Sequence, residues 1–435
     1  MSWLTRYRTR LYFRHSLWIL PAFGIVAAVV SVSLLAPYEQ AVGSHATISA
    51  GTALALMGTI AASTFSLVVV VSSALLLSVQ LASAQLTPRI IAMVYRNPYQ
   101  KIIFALFVFT FTFSASVLAR IDESTPRIAG YIAAYSFLID LGLFIFFVDN
   151  MGKMLRPSSA VRAVAMIGRE VTRTVYPSLL KEDSPAPASI QAINNTQPRV
   201  VLSDADGAVL AFDLKGLVAM AQRFDCLIEL VPEVGQFIAS GDPLFRIYHG
   251  SPQVESSLKD SVAIGAERTP EQDPLFAFRI LVDIASKALS PAINDPTTAV
   301  LAIDQIHHLL RDVGKRSLAE GHEADQAGRT RLIYRTPNWE DFVLLGTTEI
   351  RQYGRDSIQV QRRLRAMLED LIDTLPKRRH PVLFKELNLL GTSSKRAFPD
   401  LDDQVLADSG DMQGIGGSYD ETYEQDHEVR VTAGS

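Results

Sequence analysis

The hydrophobic positions are concentrated at one end of the chain. Four long apolar runs fall within the first 150 residues, and no comparable run follows. Ser16–Ala36 carries no charge over 21 residues, enough to cross a hydrocarbon core of about 30 Å as a helix. That run is long for the apolar core of a signal peptide, and no clean A-x-A site precedes Pro37, so an uncleaved span is expected. From Gln40 to Pro88 no Lys, Arg, Asp or Glu occurs, and Ala50–Gln85 is rich in helix-forming and β-branched residues. At about 1.5 Å per residue such a helix is roughly 54 Å long. It must tilt and project beyond the bilayer, or break near Gly58 or Ser72–Ser73. The third and fourth spans are expected at about Ile102–Leu118 and Ala129–Val148.

Beyond residue 150 the pattern changes. Residues 155–180 have the spacing of an amphipathic helix ending near Tyr176–Pro177, followed by a proline-containing linker, Lys181–Pro198. Val200–Leu202 and Ala208–Phe212 read as strands about the turn Asp204–Gly207. Asp213 is placed to cap a short helix, Leu214–Phe224, and further strands follow at Cys226–Val231 and Phe245–Tyr248. The glycines at 235 and 241 suit the tight turns between them. This stretch resembles the turn of biotinyl- and lipoyl-type sandwich domains, but the lysine that those domains modify is missing here.

Helical periodicity then returns. Asp273-Pro274 and Asp295-Pro296 are paired N-cap and first-turn signals, starting helices to about Leu289 and Val313. A third helix is expected over Thr348–Leu375, with Ile350, Tyr353, Val360, Leu364, Met367, Leu368 and Leu371 as its apolar stripe, and a short one over Pro381–Leu390. Residues 397–435 hold ten acids against one base and read as a disordered acidic tail.

The fold class expected is therefore a four-span α-helical transmembrane bundle followed by a cytoplasmic α+β region. That region holds a small β-sandwich-like module and a helical module. The divisions fall at 1–154, 155–198, 199–262, 263–395 and 396–435.

Charge sets the orientation. Arg6, Arg8, Arg10 and Arg14 precede the first span; the first loop has only Glu39; Arg89, Arg96 and Lys101 fill the second; the third is balanced; Lys153, Arg156 and Arg162 follow the fourth. The positive-inside rule then places both termini in the cytoplasm of a multi-pass inner-membrane protein. The net charge of −4 gives no reason to expect a nucleic-acid partner. Cys226 is the single cysteine, so neither an internal disulfide nor a cysteine-rich zinc site can form. No phosphate-binding glycine loop, HExxH or G-x-S-x-G is present, and no cofactor, metal site or catalytic residue is expected.

Four groups of residues are candidates for chemistry. Asp140 lies midway through the fourth span, where an ionised carboxylate costs roughly 2.5–3.5 kcal/mol. It is either an ion or proton site, or a neutral acid hydrogen-bonded to hydroxyls of the second span. Thr52, Thr59, Ser63, Ser66 and Ser73 of that span recur at spacings close to one helical face, to line a pathway or to join helices. The turn Ser290–Thr298, with Asn294, Asp295 and Thr297, could hold an anion or act as a rigid helix–turn–helix corner, the latter favoured because Asp295 occupies the cap. Asp304, His307 and His308 share a helix, with too few ligands converging for a metal.

The run Asp283–Ala299 (DIASKALSPAINDPTTA) resembles the signature of a bacterial family of predicted membrane proteins, domain of unknown function 2254. Ser63–Pro88 with Arg89, Gly207–Leu244 and Glu349–Gly354 agree with it. The resemblance covers roughly residues 10–390. It implies this architecture and an inner-membrane address, and it assigns no reaction. Two functional readings follow. One is a homo-oligomeric ion channel or transport-related conduit, with the cytoplasmic part for assembly or gating. The other is a membrane-anchored scaffold that binds cytoplasmic protein partners.

Overall fold

The computed structural model describes residues 2–42, 50–90, 98–120, 127–154, 156–180, 197–250, 255–318 and 321–417. The expected linker 181–198 lies outside them except for its last two residues, as does the acidic segment from 418 onward. The chain divides into two compact units, Thr9–Ser159 and Ala160–Ser435, the second also containing Met1–Arg8.

In the first unit, helix α1 (Trp3–His15) ends beside the spans α2 (Ile19–Val42), α3 (Ala50–Gln85), α4 (Pro98–Leu118) and α5 (Arg127–Met154). All four spans are long and apolar enough to cross a membrane. Their outer surfaces are greasy, with Phe23, Leu34, Leu138 and Ile145 well exposed, as a lipid solvent requires. Helix α3 is continuous over 36 residues and breaks at neither expected point. Gly58 stands in open space, and the Ser72 hydroxyl bonds the Val68 carbonyl without interrupting the helix. With a tilt near 20°, about 15 of its residues extend beyond a 30 Å core.

Helix α4 packs against each of the other three spans. Ile103, Phe107, Thr110, Ser114 and Val117, at steps of four and three, form its buried seam. Two side chains tie the ends of the bundle. Lys101 Nζ donates to the Arg14 carbonyl at 2.7 Å, placing a cation at the C-terminal end of α1. Glu39 Oε1 accepts from the Ala129 amide at 2.8 Å, placing a carboxylate at the start of α5.

The second unit opens with α6 (Pro157–Val175). Its buried face is Val161, Val164, Ala165, Gly168, Val171 and Thr172. Two sheets follow. Strands β1 (Arg199–Leu202), β3 (Leu227–Leu230), β5 (Pro243–Tyr248), β7 (Gly321–Ala324) and β8 (Thr330–Tyr334) form one, in the order β1-β5-β3-β8-β7. Strands β2 (Gly207–Phe212), β4 (Phe237–Ile238) and β6 (Val262–Gly265) form the other, in the order β4-β2-β6. The strands expected about the Asp204–Gly207 turn thus belong to different sheets. Hairpin β7–β8, for which the sequence pattern gave no expectation, joins by parallel pairing of β8 with β3.

Val209 and Phe212 of β2 and Val262 of β6 share a core with Ile228, Leu230, Phe245, Ile247 and Leu332 of the larger sheet. Helix α7 (Leu214–Arg223), capped by Asp213, closes that core with Leu217 and Ala221. The far side of β2 and β6 is covered by Trp3, Leu4 and Tyr7 of α1, so every residue of β2 is buried.

The helical part comprises α8 (Pro274–Ala288), α9 (Pro296–Gly314), α10 (Trp339–Tyr353), α11 (Ile358–Thr374), α12 (His380–Ala397) and α13 (Leu401–Ala407). Asp273 and Asp295 cap α8 and α9 as the sequence predicts. The single helix expected over Thr348–Leu375 is instead two. α10 stops at Gly354, and Ser357 caps α11 by accepting from the Val360 amide. Tyr353 lies at this break and is exposed, while the remaining stripe residues are buried.

Part of the segment expected to be disordered is folded. Asp400 caps α13, and Asp411 accepts from the amides of Gln413, Gly414 and Gly416. Arg362 of α11, 2% exposed, donates to the carbonyls of Ser409 and Gly417.

Candidate functional site

The polar residues of the bundle fall into two sets that face opposite ways. The first lies on α3. Thr52, Thr59, Ser66 and Ser73 are all exposed on the bundle's outer surface, and Ser63 is half-buried. Gln80, which the sequence reading did not include, continues the same seven-residue step and is also exposed. The stripe therefore runs 52, 59, 66, 73, 80, the heptad spacing of a left-handed helix pair. Thr59 donates to the Ala55 carbonyl at 2.7 Å and Ser66 to the Ala62 carbonyl at 3.0 Å, so each hydroxyl is bonded within its own helix.

The second set is internal. Asp140 is thirteen residues after Arg127 and fourteen before Met154, midway along α5, and its side chain is 1% exposed. The hydroxyl that reaches its carboxyl is that of Thr110 on α4, in place of the second-span hydroxyls expected from the sequence. Its Oδ2 has no hydrogen-bond partner among the described residues. Thr64 of α3 and Ser114 of α4 are 0% exposed, and their hydroxyl oxygens are likewise unpartnered. The α3 stripe and Asp140 are thus not brought together. The sequence signal that could have found Thr64 is its position two residues from Ser66, about 200° round the helix from the outward stripe; nothing in a uniformly apolar helix says which side turns inward.

The signature turn spends its polar atoms on the backbone. Asp283 accepts from Arg279 Nε at 2.7 Å, while the same guanidinium grips Glu349 of α10 through both carboxylate oxygens at 2.6 and 2.7 Å. Ser290 Oγ donates to the Lys287 carbonyl, and the Ser290 carbonyl accepts from the Asn294 amide. Asn294 takes a left-handed conformation (φ 49°), which Asn tolerates better than most residues. Asp295 Oδ1 accepts from the Thr298 amide at 3.0 Å, and Thr297 is exposed. The corner is held by its own bonds, and the Asp295 carboxylate occupies the helix start where an anion would bind.

His307 Nε2 lies 2.7 Å from Asp370 Oδ2, and its Nδ1 lies 3.1 Å from Arg363 Nη2. Arginine can only donate, so Nδ1 accepts and Nε2 carries the proton toward Asp370. Burial pushes the His307 pKa down, against the opposing pull of the Asp370 hydrogen bond. Asp304 pairs with Arg363 of α11 at 2.7 Å in place of either neighbouring histidine. Among the described residues no group of three His, Cys, Asp or Glu is disposed to hold a metal ion.

The family described as predicted membrane protein (DUF2254) matches residues 14–370, more than three quarters of the chain. The chain belongs to this family. Among curated proteins it is 25% identical over 420 residues to an uncharacterized protein of Mycobacterium tuberculosis strain H37Rv, covering 91% of this chain and 79% of that one. An uncharacterized protein of Mycobacterium bovis matches with the same identity and coverage. No solved structure matches. The DUF2254 match takes in all four spans, both sheets and the signature corner, and ends within α11 at residue 370, ahead of α12 and α13. Membership makes this a membrane protein with four candidate spans.

Proposed function

We propose that the protein is a homo-oligomeric conduit for ions or small polar solutes in the bacterial inner membrane, with the α3 stripe of each copy turned toward its neighbours. The observation that carries this reading is the outward heptad of Thr52, Thr59, Ser66, Ser73 and Gln80 on an otherwise greasy surface. Small hydroxyl residues at that spacing allow close approach of a second helix in lipid, where apolar contact alone gives no preference for association. A ring of such helices would present hydroxyls to a central path. The charge distribution in the loops, and the inclusion of Met1–Arg8 in the same compact unit as residues 160–435, favour both termini on the cytoplasmic side. That unit would assemble or gate the spans.

The test has two parts. Cysteines placed singly at 59, 66 and 73 are expected to form disulfide-linked dimers in membranes. A cysteine at Phe65, exposed but about 100° round the helix from Ser66, is not. Reconstituted protein is expected to pass ions in liposomes, with Ser66→Leu and Ser73→Leu lowering the flux. No flux above empty liposomes across several ions would sink the conduit.

A second reading, a membrane-anchored scaffold, is favoured by one feature of the C-terminal segment. Leu401, Val405 and Ile415 are more than 70% exposed there, flanked by acids, a surface suited to an amphipathic basic partner. Dimers without flux would move the assignment to that reading.

A further inference from the structure

The internal polar set of the bundle has a defined level. One apolar cluster joins Met57 and Ile60 of α3, Phe113 and Val117 of α4, and Ala129 and Ala133 of α5. A second joins Val71 and Leu75, Ile103 and Phe107, and Phe147 and Met151 of the same helices. On each helix the polar residue falls between the two: Thr64 between Ile60 and Val71, Thr110 between Phe107 and Phe113, Asp140 between Ala133 and Phe147. Ser114 sits one turn from Thr110 on the same seam of α4. Three oxygen-bearing side chains, Thr64, Thr110 and Asp140, are therefore sealed between two apolar layers near the middle of the spans, with Ser114 one turn along at the level of Phe113 and Val117.

A purely structural polar layer closes its own hydrogen bonds, because each unsatisfied buried group costs about 1–3 kcal/mol. Here three oxygens stay open: Asp140 Oδ2, Thr64 Oγ1 and Ser114 Oγ, on side chains no more than 1% exposed. All three can accept, the two hydroxyls can also donate, and the carboxylate carries a formal negative charge. Carboxylate and hydroxyl oxygens are hard donors, matched to a small hard cation and to no anion.

We infer that this layer is a binding site for one small monovalent cation, H⁺ or Na⁺, held by the Asp140 carboxylate with the hydroxyls of Thr110, Thr64 and Ser114 around it. The site lies within one copy. It needs no association between copies, so it stands or falls separately from the conduit proposed above.

Dicyclohexylcarbodiimide tests it in the purified full-length protein in detergent. The reagent adds to a protonated carboxyl in an apolar setting and leaves a stable N-acylurea, which mass spectrometry locates on the Asp140 peptide. Labelling at Asp140 that quickens as pH falls and is slowed by NaCl, but not by choline chloride, identifies Na⁺ competing with the proton. The same pH dependence without an effect of NaCl identifies H⁺ alone. In either case Thr64→Val and Ser114→Ala should shift the midpoint in pH or NaCl by about tenfold or more, as loss of a bond to a charged group requires. Thermal unfolding of the same variants guards against simple misfolding. Absence of label on Asp140 throughout, or a labelling rate that ignores both pH and Na⁺, overturns the proposal; so do well-folded Thr64 and Ser114 variants with unshifted midpoints.

Discussion

Among the described glycines of the bundle, Gly24 alone meets close neighbours, and replacing it with alanine sets two known effects against each other. A Cβ at Gly24 would stand 2.6 Å from the carbonyl oxygen of Ala105 and 3.5 Å from the Phe109 amide nitrogen. Carbon–oxygen contacts settle at about 3.3–3.6 Å, so α2 and α4 would have to part locally by roughly 0.7–1 Å. The obstacle is main chain, which no rotamer change relieves. Forced overpacking of this kind costs about 1–3 kcal/mol. Alanine recovers about 0.5–1 kcal/mol over glycine through helix propensity. The net expectation is a loss of about 1–2 kcal/mol, a factor of roughly 5–30 in the folded-to-unfolded ratio. Gly142, in α5 of the same bundle, supplies the control: nothing lies within 4 Å of its added Cβ. Gly142→Ala should keep the propensity gain alone and stabilise by about 0.5–1 kcal/mol. Reversible unfolding by an anionic detergent, or thermal unfolding in a neutral one, reads both variants. Opposite signs support a bundle in which α2 and α4 touch backbone to backbone. Equal stabilisation by the two substitutions would show that Gly24 faces open lipid and that the helix packing is wrong.

Three further outcomes follow from the second unit. Cys226 is 2% exposed and burial pushes its thiol pKa up, so a maleimide should leave the native protein unlabelled and react fully once it is denatured. His307 is held neutral by burial with its folded pKa lowered; the unfolded chain therefore binds more protons as pH falls below about 6.5. Stability should be complete above that value and decline beneath it, and His307→Gln should flatten the decline in a thermal-melt series against pH. Arg362→Met leaves the carbonyls of Ser409 and Gly417 without their donor; a loss of about 2–4 kcal/mol and faster proteolysis within residues 398–417 are expected.

What the sequence made legible was whatever a short window decides. Lipid demands long apolar stretches, so the four spans could be read off, α3 to its terminal residues. Asp213, Asp273 and Asp295 announced helix starts because a cap and its amide are three residues apart. Pairings across the chain were not visible. β8 (TRLIY) joins the sheet only by lying parallel to β3, a hundred residues earlier, and alone it is too short to distinguish from a buried helical turn. Residues 398–417 have the composition of a disordered tail, yet Arg362 supplies donors to their carbonyls from another helix. At Gly354 the apolar stripe continues in register across the break, which hid it. The glycine and the capping Ser357 were the local signs, and the stripe outweighed them.

The direction in which the polar residues of α3 point was illegible for a deeper reason. In the second unit water rewards turning an apolar face inward, so an amphipathic helix such as α6 orients itself. In lipid that contrast vanishes, and rotation is set by which groups can tolerate hydrocarbon. A serine or threonine can, because its hydroxyl bonds the carbonyl one turn back, as Thr59 and Ser66 do. An aspartate cannot, since its carboxylate accepts bonds that its own helix backbone has no free donor to give. The inward position of Asp140 is therefore forced, and by itself says little about function. What is not forced is that Oδ2 remains open there, with the Thr64 and Ser114 oxygens open beside the same seam. Nor is it forced that five polar side chains of α3 keep a seven-residue step on the outside, where alanine or leucine would cost nothing. These two unforced features are the positions to substitute: changes along the α3 step should separate a conduit from an anchor, and changes at the open oxygens bear on the cation site alone.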